Sequence, residues 1–155
     1  MHTLEHVLAS AALLVGALGG AAGLAAQQKA PVPDAEAQRA VKKAAADLYG
    51  DRFQQAKTVA AKSALANEML EAALKVRDGS VDQYVLLEIA RDMGAGAGDA
   101  PTALRAVEKL AERFDVPGAK LKAEALITAA RHASTSTQHK AVAEAASGLI
   151  DESSA

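Results

Sequence analysis

Tyr84, Glu88 and Arg91 stand at i, i+4 and i+7 in the stretch SVDQYVLLEIARDM, with Asp92 next in line. In an α-helix that spacing puts a phenol, a carboxylate and a guanidinium on one face. Two kinds of chemistry suit the trio. One is a ligand-binding or enzymatic site built around a buried carboxylate. The other is a structural network in which Arg91 bridges carboxylates and reaches the Gly98-Asp99 turn, with Tyr84 hydrogen-bonded nearby. A lone buried charge is costly, so such groups are expected in pairs. The network is therefore the preferred reading, with Tyr84, Glu88, Arg91, Asp92 and Asp99 as its candidate members.

The other reactive residue types carry less. His132 and His139 are seven apart across a Ser/Thr stretch and match no strong metal spacing, so both are expected at the surface. His2 and His6, with Glu5, lie at the extreme N-terminus. The GAGAG run at 94–98 follows a helical pattern and has no Lys partner, which makes it a connection rather than a phosphate cradle. The hydroxyls at 134–137 have no general base placed beside them and read as a linker and cap. With no cysteine, disulfides, thiolate metal sites and Cys nucleophiles are excluded. A net charge of −2, 3% aromatics and no Trp give no case for nucleic acid. No catalytic, cofactor-binding or metal-ligating residue is assigned, and no cofactor is implied.

Helices must position these groups. Alanine makes up about a quarter of the chain and no strand pattern is present. Asp34 is placed to cap a first helix over about 35–48, with Val41, Ala44, Ala45 and Leu48 inward, and Tyr49-Gly50-Asp51 either interrupts it or lets it continue briefly. Thr58 caps a second to about Val76, carrying Leu65, Met69 and Leu70. Ser80 caps a third, apolar around most of its circumference and so expected to be the most buried. The GAGAG run ends it. Asp99, with Pro101 in the first turn, opens a fourth to Phe114. Pro117 opens a fifth that ends near Arg131. Ser134, Thr135 or Ser136 caps a sixth, with Val142, Ala145, Ala146 and Leu149 as its stripe. The predicted fold is all-α, with five to six antiparallel helices. Its parts are a linker at 27–34, a helical domain at 35–131, a second linker at 132–138, and a last helix with its tail at 139–155.

Residues 7–26 read VLASAALLVGALGGAAGLAA, with no charge and no proline. A Leu-rich core followed by small residues fits a cleaved export signal. The competing reading is an uncleaved anchor, since twenty helical residues span roughly 30 Å. Residues 1–6 hold no Lys or Arg. The chain is thus expected to be exported to the periplasm or cell surface, touching a membrane only through 7–26 if that segment is retained.

Leu87, Ala90, the Gly98-Asp99 turn, Ala103, Val107 and Leu110 make the third and fourth helices look like a tetratricopeptide unit, with Gly94 where that repeat usually has an aromatic. A faint internal echo relates Ala56-Lys57-Thr58 and Ala64-Leu65-Ala66 to Ala133-Ser134-Thr135 and Ala141-Val142-Ala143. Over residues 46–131 the chain resembles a helical module of exported proteins from planctomycete-type bacteria. The matching residues include Ala56-Lys57-Thr58, Tyr84-Val85-Leu86-Leu87, Ala90-Arg91-Asp92, Ala97-Gly98-Asp99, Leu110-Ala111, Phe114 and Lys122-Ala123. That resemblance implies a module with no assigned activity and brings no catalytic residues. The expected role is a non-enzymatic scaffold or protein-interaction module that binds a protein partner or itself. The alternative is a small-ligand or enzymatic domain using the Tyr84/Glu88/Arg91 face.

Overall fold

A computed structural model describes residues 28–154; the apolar run at 7–26 and the His2/Glu5/His6 group lie outside them. The described residues form six helices and no strand: α1 (Ala35–Gln55), α2 (Val59–Ala73), α3 (Val81–Gly96), α4 (Ala100–Arg113), α5 (Gly118–His132) and α6 (Ser136–Ser154). Short polar side chains start most of them. Asp34 accepts from the amides of Glu36 and Ala37, Thr58 from Ala61, Ser80 from Gln83, and Asp99 from Thr102. Each cap satisfies donors that the first turn leaves without an intrahelical partner.

Each helix packs against the next in the chain and the next but one, and against no other described helix. That pattern places α1, α3 and α5 in one layer and α2, α4 and α6 in a second, joined by antiparallel hairpins. α3 is central, flanked by α1, α2, α4 and α5. Its Tyr84, Val85, Leu87 and Ala90 join Met69, Leu70, Leu110 and Phe114 in the main core cluster. The ring of Tyr84 meets Phe114 edge-on, with centroids 5.1 Å apart.

Alanine and glycine let the layers approach closely. A Cβ on Gly94 would lie 3.0 Å from the backbone nitrogen of Ala103, so the α3–α4 hairpin closes at that point. Gly98 has φ of 71°, a region L side chains rarely adopt, and packs on the backbone of His132 and Ala133. The α3–α4 turn is thereby locked against the α5–α6 joint.

Several expectations from the sequence need correction. Tyr49-Gly50-Asp51 does not interrupt α1, which runs on past Leu48 to Gln55. The larger rings of Tyr49 and Phe53 then claim the core side with Val41 and Ala45, and Leu48 is turned outward at 73% exposure. α2 stops at Ala73 rather than Val76, because the carbonyl of Ala73 is taken by the side-chain amide of Gln83. The glycine run does not end α3 at its start. The helix continues to Gly96, and Gly98 alone in the run adopts a positive φ.

The two linkers are also held. The Ala30 amide donates to Arg113 O at 2.8 Å, and Asp115 N donates to Ala30 O at 2.9 Å, forming a parallel bridge with Phe114. Residues 28–34 are therefore stitched to the α4–α5 connection. At the other end α6 begins at Ser136 rather than 139, with Thr135 accepting from Gln138 N at 3.2 Å. α6 packs on the body: Val142, Ala145, Ala146 and Leu149 cover Ala100, Leu126 and Ala129. Gln138 Nε2 anchors it by donating to Ala97 O at 2.8 Å.

Candidate functional site

The three groups on this face of α3 take different partners. Tyr84 is buried beneath Phe114. Glu88 reaches across to α1, where Lys42 Nζ lies 3.0 Å from its Oε2. Arg91 Nε donates to Asp92 Oδ1 at 2.7 Å, one residue along the same helix. Asp99 stays out of this set: it caps α4, accepting from Thr102 N at 3.1 Å and from the Thr102 hydroxyl at 2.8 Å. The structure therefore brings together Tyr84, Glu88, Arg91 and Asp92, while Asp99 serves the next helix.

The electrostatics agree with a paired cluster. Burial, reinforced by the charge and hydrogen bonding of Glu88, pushes the Tyr84 phenol above its ordinary range. Burial pulls Arg91 downward, but the hydrogen bond and charge of Asp92, with the charge of Glu88 behind them, outweigh it. The guanidinium ends above its ordinary value and stays cationic. No buried side-chain nitrogen or oxygen among the described residues lacks a hydrogen-bond partner.

Arg91 and Asp92 also border a cleft of about 300 Å³ between α3 and α5. Ala95 lines it from α3, and Leu121, Glu124, Ala125 and Thr128 from α5. Two turns of α5 thus present a carboxylate, a hydroxyl and small apolar groups opposite a guanidinium. A second cleft, about 330 Å³ and mostly apolar, lies where Phe53, Ala56 and Lys62 meet Met93 and Gly96.

Other polar residues matter that sequence spacing did not single out. Gln83 is 2% exposed. Its Oε1 accepts from Gly79 N at 2.9 Å, and its Nε2 donates to Ala73 O at 3.2 Å and Asp78 Oδ1 at 3.1 Å. It ties the end of α2 to the start of α3. The only local signal was a glutamine inside a helix that is apolar around most of its circumference. Lys42 and Gln138 find their partners far away in the chain, and no local pattern marks them. His132 and His139 are both exposed, and no group of three or more His, Asp or Glu among the described residues is placed to hold a metal.

No family model, curated protein or solved structure matches this chain.

Proposed function

We propose that this chain is an exported, non-enzymatic helical module that engages a protein partner or a second copy of itself. The observation that carries the reading is the packing order: every helix touches only its next and next-but-one neighbours, the arrangement by which α-solenoids build extended binding surfaces. Among the described residues α1 and α6 stand at the two ends of this packing order, with Leu48 on α1 73% exposed and Ile150 on α6 65% exposed. Export rests on the run at 7–26. Among the described residues no helix is long and apolar enough to cross a membrane.

In-cell crosslinking in the native host, combined with envelope fractionation, tests the reading. The mature chain is expected in the envelope fraction, with its N-terminus near residue 26 or 27, in a crosslinked species that Leu48→Glu or Ile150→Glu removes. Both side chains are largely solvated, so these variants keep the parent melting temperature. A cytoplasmic chain retaining Met1, or a monomer with no crosslinked species, overturns the proposal. The Tyr84/Glu88/Arg91 ligand reading is separated by Glu88→Gln. A structural role lowers the stability of the ligand-free protein, whereas a ligand site leaves that stability intact and abolishes ligand-dependent stabilisation.

A further inference from the structure

We propose that the α3–α5 cleft binds a small diamino monocarboxylic acid of the lysine type, held between Arg91 on one wall and Glu124 on the other. The inference is independent of the interaction role above. The cleft volume, about 300 Å³, lies at the small end of the range for ligand pockets. Its lining charges are one guanidinium, Arg91, and two carboxylates, Asp92 and Glu124. The complement is a molecule with one carboxylate and two cationic groups.

Each part of such a ligand has a counterpart. Asp92 accepts from Arg91 Nε at 2.7 Å through Oδ1 alone and so fixes the plane of the guanidinium, and its second oxygen is the counterpart of the α-ammonium. The remaining N–H groups are suited to a carboxylate, which a planar fork binds at two points. The neighbouring charges keep Arg91 cationic. Among the described residues Glu124 pairs loosely with Lys120, at 3.8 Å on an exposed side chain, and its carboxylate can turn to an ammonium. Thr128 donates its hydroxyl hydrogen to Glu124 O at 3.0 Å, leaving the oxygen lone pairs to accept. Leu121 and Ala125 provide the apolar surface an aliphatic chain needs.

Calorimetric or NMR titration with three probes tests this. L-lysine carries all the groups, cadaverine lacks the carboxylate, and aminocaproate lacks the α-ammonium. Lysine is expected to bind saturably, with cadaverine and aminocaproate each weaker by about tenfold or more. Glu124→Gln, at an exposed position that the fold does not need, weakens lysine by a similar factor. Arg91→Gln weakens lysine and aminocaproate but leaves cadaverine unchanged. The inference is overturned if lysine gives no saturable signal at about 10 mM, a millimolar-affinity limit. Equal binding of lysine and cadaverine, or full retention of lysine binding by Glu124→Gln, overturns it as well.

Discussion

Replacing Gly98 by alanine should destabilise the domain, while the same change two residues earlier should not. Gly98 has φ of 71°. An alanine held there pays about 1–2 kcal/mol for the left-handed conformation. Its Cβ would also lie 2.9 Å from His132 O and Ala133 Cα, and 3.0 Å from Ala133 N. These are backbone atoms at the α5–α6 joint and cannot rotate aside. Overpacking of this kind costs about 1–3 kcal/mol. Reduced freedom of the unfolded chain returns about 0.4–1 kcal/mol, leaving a net loss of about 1–4.5 kcal/mol. For a domain of this size that is a fall in melting temperature of about 3–20 °C. Gly96 is helical, and a Cβ there meets nothing within 4 Å. Gly96→Ala should therefore raise stability by about 0.4–1 kcal/mol. Thermal and urea unfolding followed by circular dichroism measure both. Hydrogen exchange adds a spatial check: in Gly98→Ala, α6 should lose protection first, because the displaced joint carries the Gln138 to Ala97 bond. A Gly98→Ala protein within about 0.5 kcal/mol of the parent, the usual scatter for neutral surface changes, would refute the reasoning. So would a Gly96→Ala protein equally destabilised.

Three further outcomes follow from the packing. Phe114 is fully buried against Tyr84 and lies at the bridge to Ala30, so Phe114→Ala should cost about 3–5 kcal/mol in urea unfolding. Gln83→Leu leaves the Gly79 amide and the Ala73 carbonyl without the side-chain partner they have now, and should cost about 1–3 kcal/mol by the same measurement. The Tyr84 phenol is raised by burial and by Glu88, so the unfolded chain gives up this proton before the folded one does. The associated stability is complete below a pH of about 10 and is lost as pH rises through the folded value. Alkaline unfolding curves should show this loss in the parent and not in Tyr84→Phe; identical curves would count against it.

The helices and their caps were legible because they depend on neighbours within a few residues. Asp34, Thr58, Ser80 and Asp99 each sit where a side-chain oxygen can reach an amide two or three positions on, and each does so. The stripe of α6, Val142 to Leu149, is likewise a local period, and it is the face that packs. α1 shows the limit of that reasoning. Counted locally, Leu48 belongs with Val41 and Ala45, but two aromatic rings further along reset which side faces the core. The candidate site divides the same way. Tyr84, Glu88 and Arg91 share a face by spacing alone, whereas the α1 lysine that engages Glu88 and the α5 carboxylate opposite Arg91 come from distant segments.

The sequence by itself determined an all-α fold, the capped starts of its first four helices and the burial of its third, since backbone hydrogen bonding, capping and apolar period are short-range. The tertiary structure alone decided the pairing of Lys42 with Glu88, the three-way anchoring by Gln83, the stitching of Ala30 to the α4–α5 connection, and the seating of Gly98 on the α5–α6 joint. Most of these contacts join residues far apart in the chain. Their geometry depends on how whole helices cross, a quantity no local pattern encodes.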